Sequence, residues 1–112
     1  MNIEAALEQL TGWCEDDWIG LWLIVAYVAE DLGIEDPEKQ LEATLLLVCK
    51  LLKRGIRAGD SPVHAVQFVP WPDQDPAAVA AFIRQEWLRN DEYPSWGDGP
   101  WFAAPRFCRL DA

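Results

Sequence analysis

The stretch "DPEKQLEATLLLVCKLLKRGIRAGD", residues 36–60, decides the fold, because it carries a complete set of helix signals followed by a change of period. Asp36 can accept hydrogen bonds from the unpaired N–H groups of a helix start, Pro37 fits the first helical position, and Glu38 meets the positive end of the dipole. Leu41, Leu45, Val48 and Leu52 recur at three- and four-residue steps and form an apolar stripe. Lys50, Lys53 and Arg54 complement the negative end, and Gly55 supplies a left-handed stop. Beyond Gly55 the pattern becomes β-prone. Ile56 to Ala58 and Val63 to Val69 flank the turn residues Gly59-Asp60-Ser61-Pro62 and read as a hairpin, closed by Pro70 and Pro72.

Upstream, Trp18, Leu21, Trp22, Val25, Val28, Ala29 and Leu32 repeat the helical spacing. Ile19, Leu23, Ile24 and Tyr27 make this segment apolar nearly all round, which predicts a central, buried helix ending at Gly33. Residues 3–10 predict a short amphipathic helix ended by Thr11-Gly12. Downstream, Asp75-Pro76 repeats the cap-plus-proline signal and starts a helix reaching about Asn90, with Val79, Phe82, Ile83 and Trp87 on one face. The tail from residue 91 is rich in turn residues, with a candidate strand at Trp101 to Ala103 that can join the hairpin. Three helices followed by a hairpin is the order of a winged-helix domain, here with an added helix and a C-terminal strand. The expected class is α+β, mostly helical, with winged-helix-like helices and a small antiparallel sheet, in a single domain spanning residues 1–112. A chain of this length buries roughly two thirds of its unfolded surface. A hydrophobic content of 51% with seven Trp and four Phe argues against disorder.

The net charge of −10 comes from 19 acids against nine bases, and its distribution is uneven. Residues 1–38 hold ten acids and no Lys or Arg, so the whole net charge sits in the first third. Such a chain repels nucleic acid and anionic membranes and attracts basic proteins, unless the acids simply keep it soluble. The apolar run at residues 18–29 is 12 residues long, short of the ~20 that span a bilayer, and the acidic N-terminus lacks the pattern of a secretory signal. Cys14, Cys49 and Cys108 match no metal-ligand spacing and read as reduced thiols, which points to the cytoplasm.

The run "WCEDDWIGLW", residues 13–22, places Glu15, Asp16 and Asp17 between tryptophans. Successive helical residues lie about 100° apart, so the three carboxylates cannot face one ion on a helix. Capping of the helix that follows by Asp16 or Asp17 is expected, with the tryptophans packed on the core and the exposed acids free to meet a partner. His64, the sole histidine, has no nucleophile or carboxylate signature beside it and reads as structural or solvent-facing. Cys14 is opposed by the neighbouring acids as a reactive thiolate. "GIRAGD" and "WGDGPW" lack the spacing and lysine of a phosphate loop. "SWGDGPWF", residues 95–102, offers Trp96 and Trp101 either as anchors of an exposed binding loop or as caps on the core. A DNA-reading role for the helix after Gly33 is opposed by Asp36, Glu38 and Glu42 at the end that would face the bases.

The segments "LEATLLLVCKLLKRGIRAGD", "FVPWP" and "WGDGPWF" resemble those of small bacterial proteins, over roughly residues 18 to 102. Small acidic proteins of this type are similar to the immunity proteins of bacterial polymorphic toxin systems, a class defined by role, so no functional residue carries over. The resemblance implies a cytoplasmic, non-catalytic protein without cofactor or metal, acting as monomer or dimer, that occludes a basic cognate toxin of nuclease-like or nucleotide-acting chemistry. Asp16, Asp17, Glu30, Asp31, Glu35 and Asp36 are the expected steering residues, with Trp96 and Trp101 as anchors. The alternative is a degenerate winged-helix regulatory or adaptor module working through protein contacts.

Overall fold

In a computed structural model, which describes residues 2–60, 68–90, 93–94 and 99–108, the best-signalled helix forms where its caps place it. It is the third of four α-helices: α1 (Ile3–Asp16), α2 (Leu21–Glu30), α3 (Pro37–Lys53) and α4 (Pro76–Arg89). Three short strands, β1 (Ile19–Gly20), β2 (Arg57–Gly59) and β3 (Trp101–Ala103), complete an α+β, mostly helical fold. Asp36 and Asp75 both cap through their side chains, accepting from Lys39 N at 3.0 Å and Ala78 N at 3.2 Å. Gly33 and Gly55 stop α2 and α3 at positive φ, 68° and 99°. None of the helices is long and apolar enough, among the described residues, to cross a membrane.

Two expectations near the N-terminus are corrected. Thr11-Gly12 does not end α1, which continues to Asp16. Ala6, Leu7, Leu10 and Cys14 form one buried stripe, and its packing outweighs the roughly 1 kcal/mol that a helical glycine costs. A Cβ at Gly12 would meet nothing within 4 Å. Gly12→Ala is therefore expected to raise stability by about 0.5–1 kcal/mol in urea melts, and a loss would show that the backbone there is not helical. Nor do Asp16 and Asp17 cap α2. Asp16 is the last residue of α1, Asp17 its C-cap, and Ile19-Gly20 leave the helical path to pair with β3. The first N–H of α2 then donates to the Pro100 carbonyl at 3.0 Å.

The strand order is β1-β3-β2, all antiparallel, so the candidate C-terminal strand becomes the centre of the sheet. Ile19, Phe102 and Ala58 form a cross-strand row that faces the core, each buried. The next row alternates to the other face and sets Trp101 between Gly20 and Gly59. A Cβ at Gly59 would stand 2.6 Å from the Val69 carbonyl oxygen, and one at Gly20 would stand 2.5 Å from the Trp22 indole nitrogen and 3.2 Å from the Trp101 ring, so close approach favours glycine at both. The expected first hairpin strand is present as β2, and an isolated antiparallel bridge joins Gly59 to Pro70. Most of the second strand, Val63 to Val69, lies outside the described residues. The Gln74 side-chain amide closes the edge of β2, donating to the Ala58 carbonyl and accepting from its N–H, both at 2.8 Å.

One core joins all four helices to the sheet, centred on Leu10, Leu21, Ile24, Leu47, Leu51, Ile83 and Phe102. The helix between β2 and β3 separates this chain from a plain succession of three helices and a hairpin. It runs antiparallel to α3, since Pro76 at its start meets Cys49 and Arg84 near its end meets Glu42. On α4, Val79 and Ile83 face inward as expected, whereas Phe82, predicted beside them, is 42% exposed.

Candidate functional site

All six carboxylates picked out as steering residues are exposed. Asp16 ends α1 and Asp17 follows it, while Glu30 ends α2 and Asp31 follows it. Four of the six thus sit at helix C-termini, where the backbone dipole disfavours negative charge by some 0.3–1 kcal/mol each. Glu35 and Asp36 lie in the loop before α3, and only Asp36 serves as an N-cap. The acids form two groups rather than one, because the ten-residue α2, about 15 Å long, separates Asp17 from Glu30. Among the described residues none of the six is in an ion pair. Glu4 and Glu8, by contrast, hold Arg54 at 3.7 and 3.1 Å.

The end of α1 is relieved from far along the chain. Ala104 N donates to the Cys14 carbonyl at 3.0 Å, and the Arg106 guanidinium donates to the Glu15 carbonyl. Arg106 thus satisfies a carbonyl at the helix end, a role invisible in the sequence because 91 residues separate it from Glu15. No three His, Cys, Asp or Glu side chains converge among the described residues in a way that would hold a metal ion.

Next to the second acid group lies an apolar depression of about 450 Å³, floored by Ile34, Ala43 and Leu46 and rimmed by Glu38, Lys39 and Glu42. Gln40 fixes the loop beside it by donating to the Ile34 carbonyl at 2.7 Å. Arg84 of α4 grips Glu42 with two parallel hydrogen bonds of 2.7 and 3.2 Å, and this holds the Glu42 carboxyl below the ordinary carboxylate range. Leu46, 42% exposed, was missed by the sequence reading. A signal existed: it falls off the stripe Leu41, Leu45, Val48, Leu52, so the run "LLLV" holds one leucine more than one face can bury.

The tryptophans divide. Trp13 packs edge-on against Tyr27 with centroids 5.7 Å apart, and Trp18 packs against Phe68 and Phe107, as their expected core role requires. Trp101 is half-buried in the centre strand, with its ring beside Gly20 and its Nε1 enclosed. This position belongs to the sheet, not to an exposed loop. Trp96 and His64 lie outside the described residues. Burial pushes the Cys14 thiol up to about 12, assisted by the Glu15 charge, and also raises Cys49 and Cys108. A thiolate nucleophile is therefore disfavoured at all three near neutral pH.

Comparison of the chain with protein-family models, curated proteins and solved structures gives no match. Chemically, an aliphatic floor next to the exposed acids of the loop before α3 suits a cationic protein surface, since the acids attract and the floor can be dehydrated.

Proposed function

We propose that the protein is a non-catalytic binding protein that neutralises a basic partner in the cytoplasm, as an immunity protein does for a nuclease-like or nucleotide-acting toxin. One observation carries this reading. Asp16, Asp17, Glu30 and Asp31 are exposed at helix C-termini, where they cost stability and make no ion pair among the described residues. Charges that break a local rule without a compensating contact mark a surface serving something other than the fold. The adjoining depression around Leu46 supplies apolar area for a contact that charge alone would leave weak.

The test begins with a tagged pull-down from the native cell at low and high salt. One basic protein in stoichiometric complex, whose toxicity is relieved by co-expression, is the expected outcome; an empty eluate at low salt overturns the reading. With that partner in hand, the variant Asp16→Asn, Glu30→Gln, Asp31→Asn is expected to associate about tenfold more slowly at low ionic strength, with a flattened salt dependence. The same variant should be a few tenths of a kcal/mol more stable, because the unfavourable helix-end charges are gone. An unchanged association rate removes the steering role.

A second reading, an adaptor related to winged helices, draws support from the position of β3 between β1 and β2 behind three helices. A two-fold dimer that retards duplex DNA at moderate salt would favour it. The acids at the start of α3 and the apposition of α4 weigh against a groove-reading helix.

A further inference from the structure

A second concave surface, remote in sequence from the acidic first third, lies between α4 and the segment that leads into it. Its two lobes, of about 450 and 350 Å³, share Asp60, Trp71 and Phe82. Trp71 and Phe82 meet edge to face, with centroids 5.4 Å apart and planes at 74°, and form an aromatic corner. Phe82 is the residue that the helical period places on the core face but the fold leaves 42% exposed. The Trp71 indole N–H donates to Asp60 at 2.9 Å, which orients the ring and holds the carboxylate beside it. Asp73 borders one lobe and Glu86 the other, with Arg89 3.8 Å from Glu86, and among the described residues no Lys or Arg lines either lobe.

We propose that this cleft is a receptor for an arginine side chain, presented by a loop of the basic partner. An aromatic face attracts a cation through its quadrupole, and guanidinium, planar and weakly hydrated, both stacks on such a face and forks onto carboxylates. A neutral apolar ligand would use the rings but bring no charge to Asp60, Asp73 and Glu86, which are engaged here by the Trp71 indole, the Asp75 N–H and, at 3.8 Å, Arg89, and an anionic ligand would meet three like charges. Arginine uses both halves of the site. The volume lies in the range of small-ligand pockets, so one side chain with its flanking backbone fits. The inference rests on the reading of this protein as a receptor for a basic protein, and it supplies that reading with a buried anchor, because a central aromatic–arginine contact is what interface hot spots commonly contain.

The test needs no cognate partner, so its failure is separate from a failure to find one. The blocked tripeptide acetyl-Gly-Arg-Gly-amide is titrated into the whole protein while the indole N–H resonances are followed, with Trp71 assigned by Trp71→Phe. A saturable shift of the Trp71 indole is expected, with about tenfold weaker binding of the same peptide carrying citrulline, a neutral isostere. Asp60→Asn, which retains an acceptor for Trp71, should weaken binding of the arginine peptide several-fold, and Phe82→Ala, at an exposed ring, should abolish the saturable shift. Equal binding of both peptides, an unperturbed Trp71 indole, or full binding by Phe82→Ala each overturns the proposal.

Discussion

Phe102→Ala is expected to destabilise the fold by about 3–5 kcal/mol, the cost of deleting a fully enclosed ring and leaving a cavity. Phe102 is 0% exposed, occupies the middle of the centre strand, and pairs across the sheet with Ile19 on one side and Ala58 on the other. Neither neighbour can fill the space, because Ala58 has no side chain to extend and Ile19 is held in a two-residue strand. A domain of this size commonly has about 5–15 kcal/mol of stability, so a large part of it would be lost. Thermal melts should show it as a fall in midpoint on the order of 10–20 °C. Phe82→Ala provides the contrast, since that ring is 42% exposed and should cost less than about 1 kcal/mol. Equal losses at the two positions would show that the sheet does not close over the core as described.

Alkaline pH is expected to destabilise the protein through Cys14. The thiol is fully buried beneath α1, and burial followed by the Glu15 charge raises it from 9.0 to about 12. The folded state therefore holds this proton where the unfolded chain has released it. Stability from Cys14 is present in full below pH 9 and declines as pH rises through 12, at up to 1.36 kcal/mol per pH unit, for a total of roughly 3–4 kcal/mol. The informative quantity is the difference between the parent and Cys14→Ala. The variant should start less stable at pH 7 but lose stability more slowly between pH 9 and 12. Parallel curves would show that Cys14 reaches solvent in the folded state. Alkylation at pH 8 provides a second readout, with Cys14 protected in the native protein and labelled only in denaturant.

Not all of this architecture was legible in the residues, and what was legible shares one property. Asp36-Pro37 and Asp75-Pro76 started α3 and α4 where expected, and Gly33 and Gly55 ended α2 and α3, because caps, proline and left-handed glycine act on backbone within a few residues of themselves. The one-signed first third and the exposure of its acids were also legible, since charge is read directly from composition and carboxylates without a partner stay in water. The mass of apolar residues at 18–32 marked a helix but misjudged its place: in α2 Leu21, Ile24 and Val28 are buried and the rest are not, while α3, which packs against the three other helices, is the central one.

The remainder was decided only in three dimensions. Ile19-Gly20 reads locally as helix but becomes strand, because its hydrogen bonds lie with Trp101 and Phe102, some eighty residues away. That single pairing moved Asp16 and Asp17 from the favourable start of one helix to the unfavourable end of another, and changed the meaning of both. The apposition of α4 on α3 likewise left Phe82 in the open and brought Arg84 onto Glu42, while Arg106 reached back to α1. A sequence determines by itself the features whose partners are neighbours along the chain. Long-range strand pairing and helix apposition bring together groups with no local signal of each other, so the aromatic cleft, the carboxylates at helix ends and the exposed Leu46 emerge only once the chain has closed on itself.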